Sequence, residues 1–428
     1  MQARRSVAGH VILVKGKQAL YRLPGNPGHI PSKRRPPIVR RSITQLAKIN
    51  IVIFAIFQYP FPVGTIKQGM SMTRNNSIDI AKGIGILLVA LGHNWMVNHD
   101  KGLLFQMIYS FHMPLFFLLA GVFLQPSQDF ADFVKAKADT LLKPYLVVLT
   151  LLGAFRIMIG ATTPGRYFPG IFYGVGSTID WVQLWFLPSL FVTLAFAWLL
   201  LKILKNNHFQ REMLVVIAVL SLLLGAMTIH LYRDIASSDS ALLTAMFGPD
   251  AHLRGLPFSL DLLPLSAGFL LLGYLLRNPI KSAVFQPRYL AISLVIFFAS
   301  NLLFTYSTDL NLRVYGHWLV TPVRALSGIY AVIALSTLIS RHPLAAKPLA
   351  YLGKTSLLIL IFHAYIEWAI FGKLIARFAY NPYVAATIGL IMGILVPVIL
   401  FEMSKRVRLM SFLLLHSPKR QAGPELVT

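Results

Sequence analysis

The sequence predicts an all-α, polytopic membrane protein of about ten transmembrane helices, and three observations predict it. Of 428 residues 56% are hydrophobic, mean hydropathy is +0.65, and the apolar residues fall in runs long enough to cross a hydrocarbon core about 30 Å thick. Basic residues concentrate in every second loop between those runs, as cytoplasmic loops require. The net charge of +25 would suggest a nucleic-acid partner in a soluble chain; here topology accounts for it, so no such partner is expected. Absence of cysteine excludes disulfides, thiolate metal sites and a cysteine nucleophile.

Residues 1–74 are expected to be a basic, disordered extension. Thirteen Lys and Arg and no acid occur before residue 76, without apolar periodicity. The apolar stretch 49–61 is too short to span and is broken by Pro60. The working protein is therefore expected to begin at Met70 or Met72, the preceding residues being a start-site artefact or dispensable. Ten spans follow, at about 80–98, 103–124, 141–160, 184–204, 212–230, 260–277, 289–306, 319–340, 356–372 and 382–402. Lys135/Lys137/Lys143, Lys202/Lys205/Arg211, Arg277/Lys281/Arg288, Arg341/Lys347/Lys354 and Lys405/Arg406/Arg408 follow the even-numbered spans. Both termini are thus predicted to be cytoplasmic, with a membrane domain over 75–405 and a tail over 406–428.

Polar residues inside the spans mark the candidate site. Asp79 and Lys82 open the first span and His93 lies eleven residues beyond Lys82, on nearly the same face and about 16 Å along the axis. His112 in the second span and His363 in the ninth fall at a similar depth, with Glu367 one turn beyond His363. Arg156 and Arg324 add positive charge toward the outer half. Ionisable groups at such depth are costly, so a polar, hydrated cavity is expected between spans one, two, three, eight and nine. Pro114 is expected to bend the second span and free a carbonyl for a side chain. The outer loop 161–183, with Tyr167, Phe168, Phe172, Tyr173, Asp180 and Trp181, suits a sugar, or else an interfacial aromatic belt.

Three readings compete. Three His and a Glu could ligate a metal, but they lie on separate spans without a close-spaced pair, so no metal is expected. The same groups could carry protons or bind an organic anion or glycan intermediate in a carrier, or His93 could act as a general base toward a hydroxyl. The residues alone leave carrier and enzyme open.

Five blocks of sequence bear on that choice: Asp79-x-x-Lys82-Gly83 through Gly92-His93; Phe111-His112-Met-Pro-Leu-Phe-Phe-x-x-Ala-Gly121; Lys143-Pro144-Tyr145; Leu184-Trp185-Phe186-Leu187-Pro188; and Leu352-Gly353-Lys354-x-Ser356-Leu through His363. Over about 75–370 they resemble the integral-membrane acyltransferase-3 superfamily, especially its fucose 4-O-acetylase-like branch. The resemblance implies ten core spans and transfer of an acyl group, usually acetyl from acetyl-CoA, to a hydroxyl of a cell-envelope sugar or lipid-linked glycan. It implies an inner (plasma) membrane setting, with acyl-CoA, lipid and glycan acceptor as partners. On this reading His93 is base or acyl relay, His112 a second proton-transfer group and Asp79 an anion organising the lysines. Lys82, Lys135, Lys137 and Lys143 hold the phosphates of the donor, while Arg156, Trp185, Arg324, His363 and Glu367 face the substrate. Lys82 stands where the family pattern has Arg, and Lys135-Ala-Lys137 where it has Arg-x-Arg, which removes a planar two-pronged donor.

Overall fold

A computed structural model describes residues 76–126, 129–233, 235–236, 241–247, 252–378 and 381–415. The basic extension 1–74, with its expected start at Met70 or Met72, and the end of the tail lie outside the described residues. Each predicted span contains a helix: α1 Asn76–His93, α2 Leu103–Val122, α3 Lys143–Met158, α4 Phe186–Ile203, α5 Gln210–Leu231, α6 Leu263–Leu275, α7 Pro287–Leu303, α8 Val320–Ile339, α9 Pro343–Phe378 and α10 Pro382–Arg406. Eight of these, with their flanking turns, are long and apolar enough to cross a membrane; α1 and α7 are not among the eight. The protein is an all-α, multi-pass membrane protein. Among the described residues the extended structure is slight, chiefly one antiparallel pair, Ile235–Ala236 with His252–Leu253.

Three predicted boundaries change. The first span is not continuous to residue 98: α1 ends at His93, and Asn94 is extended (φ −66°, ψ 146°) and caps a separate turn, Trp95–Asn98. A polar side chain that bonds its own backbone competes with the helix there. Helix α9 runs 36 residues, so Lys354 lies within it rather than ahead of it. The outer segment 161–183 contains a helix, Pro164–Tyr173, begun by a proline and ended by Gly174 at φ +70°.

Packing centres on two close crossings. Helix α9 lies between α1 and α10. At its crossing with α1, a Cβ on Gly83 would fall 2.0 Å from the Leu349 carbonyl oxygen, and one on Gly353 would fall 1.8 Å from that of Asp79. Helices α2 and α6 cross in the same way through Gly121 and Gly273. Without a hydrophobic drive between helices in lipid, backbone-to-backbone approach through glycine is what gives such crossings their dispersion energy. Helix α8 closes the group against α1, α2 and α7. At the outer end, Arg313 and Asp261, both fully buried, form a two-pronged pair at 2.9 and 3.0 Å that joins the 304–319 loop to the foot of α6.

Candidate active site

The break after His93 gives the site its form. His93 ends α1, and its ring lies 5.4 Å from that of His363 on α9 and 5.9 Å from that of Tyr109 on α2. Tyr109 in turn meets His112 edge-on at 4.8 Å. Its hydroxyl stands 3.4 Å from His93 Nδ1, and its ring stacks on Phe105 at 3.9 Å. The structure thus brings the three predicted histidines together from three helices, with Tyr109 between His93 and His112.

Hydrogen bonding fixes the tautomer of two of them. His112 Nδ1 is 2.9 Å from the Ile108 carbonyl oxygen, and His363 Nδ1 is 2.7 Å from that of Ile359. A carbonyl can only accept, so in each ring Nδ1 carries the hydrogen and donates, leaving the Nε2 lone pair free for chemistry. His363 Nε2 is buried and has no protein partner. His112 and His363 are sealed, whereas His93, although surrounded by protein, keeps some accessible surface. The carbonyl that accepts from His112 is that of Ile108, not the one freed by Pro114, which would be Ser110.

Glu367 lies one turn beyond His363, as the spacing predicts, and is held by a residue that sequence reasoning missed. Asn94 Nδ2 donates to Glu367 Oε2 at 2.9 Å and to the Ala386 carbonyl at 3.0 Å, while Asn94 Oδ1 accepts from Met96 N–H. The other Glu367 oxygen is buried without a partner. A Cβ on Gly393 of α10 would come within 2.5 Å of Glu367 Cγ, so the glycine makes the room this side chain occupies. Toward the outside, burial pushes the Asp309 carboxyl above its usual range, against the pull of the Leu312 N–H and of Lys101 and Arg254.

The remaining predicted residues occupy separate settings. Arg324 is fully buried, and its donors go to the carbonyls of Ser300, Phe304 and Tyr306 at 2.7–3.1 Å. It therefore fastens α8 to the C-terminal end of α7, where exposed carbonyls favour a cation. Arg156 pairs with Asp180 at 3.2 Å, both about a third exposed, at the outer end of α3. The principal neighbours of α3 are the Pro164–Tyr173 helix and the C-terminal helix Arg408–Leu414, so the third span is not among the helices that bring the histidines together. Trp185 is buried at the start of α4 and meets Phe186 edge-on. Its neighbour Trp181, from the aromatic outer loop, instead packs on Phe362 and Tyr365, flanking His363.

The four lysines expected to hold phosphates also diverge. Lys82 pairs with the buried Asp79 at 3.7 Å and lies over the Phe123 ring. Lys143 is engaged by Asp139 at 2.7 Å and by the Leu415 carbonyl at 2.6 Å. Lys137 lies over Phe133, and Lys135 is exposed. A cavity of about 490 Å³ at the same end of the molecule is lined instead by Lys202, Lys205, Arg277 and Lys281, which the sequence reading used only as topology markers. Among the described residues no group of three or more His, Asp and Glu is placed to hold a metal ion.

Comparison with known proteins bears on what this constellation does. The family model for the acyltransferase domain of the acyltransferase-3 type matches residues 75–402. No curated protein and no solved structure matches.

Proposed function

Since the chain belongs to the acyltransferase-3 family and is therefore a membrane acyltransferase, we propose that it moves an acyl group, most simply acetyl, from acyl-CoA to a hydroxyl of a cell-envelope sugar or lipid-linked glycan. The observation that carries this reading is the convergence of His93, His112 and His363, two of them held with Nε2 as the basic nitrogen. Membership in an enzyme family removes the carrier as a competing reading.

In the proposed reaction His93, the one accessible imidazole of the three, takes the proton of the acceptor hydroxyl as its oxygen attacks the thioester carbonyl. The new C–O bond forms, the C–S bond breaks, and the proton passes from His93 to the departing thiolate. His363, whose ring lies 5.4 Å from that of His93 and whose Nε2 has no protein partner, stabilises the imidazolium, and Tyr109 orients the ring through Nδ1. Glu367, fixed by Asn94, supplies a carboxyl group one turn from His363. A sugar acceptor is favoured by the resemblance to fucose 4-O-acetylases and by the aromatic outer segment, in which Trp181 reaches the helix that bears His363. The distribution of basic loops supports a cytoplasmic face for both termini, where acyl-CoA is available, and the resemblance supports an inner (plasma) membrane location.

Purified protein in lipid nanodiscs, given acyl-labelled acetyl-CoA and an envelope-glycan extract, tests the proposal. Label recovered in ester linkage on sugar is the expected result. Hydrolysis without transfer, or label only on lipid or protein amines, would refute the sugar acceptor.

A further inference from the structure

We infer that the cavity bounded by the ends of α2, α4 and α6 receives the phosphates of the acyl donor, in place of Lys135, Lys137 and Lys143. The inference rests on the proposed use of acyl-CoA and concerns where its nucleotide end sits. Lys202 and Lys205 from the end of α4, and Arg277 and Lys281 from the segment after α6, line one concavity with Gln210 and Tyr274. Among the described residues that line it none is acidic. Membrane topology explains basic residues at this end of the helices, but not their convergence on one hollow, where like charges repel unless an anion joins them.

Charge and shape select among anions. A hollow of about 490 Å³ is within the range of small-ligand sites. A cluster of this many cations suits the roughly four negative charges of a 3′-phosphate plus a pyrophosphate better than the charge of about one on a common anionic phospholipid headgroup. The Arg277 guanidinium lies over the Tyr274 ring at 4.0 Å, and such a planar cation is suited to a phosphate's paired oxygens. The cavity also adjoins the foot of α1, because Lys281 and Lys82 both lie over the Phe123 ring, at 5.8 and 4.5 Å. From Lys82 the helix rises about 16 Å to His93, a span that an extended pantetheine arm covers. Lys143 is held by Asp139 and the Leu415 carbonyl.

The test is direct binding of CoA and of 3′-dephospho-CoA to the full chain in nanodiscs of neutral phosphatidylcholine. Wild type should prefer CoA. The double substitution Lys202→Gln/Lys205→Gln, at two exposed positions that leave the helix packing alone, should weaken CoA about tenfold or more and erase most of that preference. Arg277→Gln should act in the same direction, and Lys135→Gln/Lys137→Gln should leave CoA affinity within about twofold. Unchanged CoA affinity in both cleft variants, or a loss confined to the Lys135/Lys137 variant, overturns the assignment while leaving CoA as donor. Dependence of the cleft variants on added phosphatidylglycerol with CoA affinity intact overturns it in favour of a lipid site. If wild type binds no CoA at all, the donor itself is wrong and this inference falls with it.

Discussion

Replacing Asn94 by alanine tests how the break in the first span supports the site. Its side-chain N–H groups serve Glu367 and the Ala386 carbonyl, and its oxygen caps the Trp95–Asn98 turn. Removing one partner of a buried hydrogen bond costs about 1–3 kcal/mol for the group left behind. Losing the donor to both Glu367 and the Ala386 carbonyl with one side chain should therefore lower stability by roughly 2–6 kcal/mol. The second Glu367 oxygen already lacks a partner, so nothing nearby takes over. Glu367→Gln keeps an acceptor for Asn94 at nearly the same size, and should cost less. Combined with Asn94→Ala, the same change should cost less than the sum of the two single changes, because the bond between these side chains is lost only once. Denaturation of detergent-solubilised protein across this double-mutant cycle measures the coupling. An Asn94→Ala change within about 0.5 kcal/mol of wild type, or strictly additive effects, would refute the reasoning.

Three further outcomes follow. Tyr109→Phe removes a hydroxyl 3.4 Å from His93 Nδ1, a long contact, so kcat should fall by only about threefold to tenfold with KM little changed; a loss beyond about a thousandfold would make Tyr109 a reacting group. Arg324→Lys cannot serve the three carbonyls in one plane and should destabilise the fold by about 2–4 kcal/mol, while acyl transfer per folded molecule stays near wild type. Gly353→Ala places a methyl 1.8 Å from the Asp79 carbonyl and should destabilise by about 1–3 kcal/mol or more, read as a lower thermal unfolding midpoint. Gly372→Ala on the same helix meets open space and should be neutral or stabilising by up to about 1 kcal/mol.

The helices were legible because hydropathy and loop charge report directly on the bilayer, and the three histidines because ionisable residues inside apolar runs stand out. Depth counting placed His93, His112 and His363 at one level, and they meet. Which histidine adjoins which was not legible, since it depends on helix rotation and on glycine crossings far from the site. Asn94 was overlooked because an uncharged residue next to a histidine resembles ordinary helix, although its propensity to bond its own backbone was a signal. Tyr109 was equally recoverable: three residues before His112, it shares that helix face. The basic residues are a different case. Every one at the end predicted to be cytoplasmic satisfies topology, so sequence cannot distinguish Lys143, engaged by Asp139, from Lys202, which lines a hollow. Arg324 stood out because it adds positive charge inside an apolar span; the structure directs its two terminal nitrogens to carbonyls at a helix end and leaves Nε without a partner.

Substitution of His93 by alanine, with acyl transfer measured on protein shown to be folded, addresses the central claim most directly. The account predicts intact thermal unfolding, intact CoA binding and a fall in turnover of about 10²-fold or more, as loss of a general base implies. Turnover within a few-fold of wild type in the folded variant would contradict it.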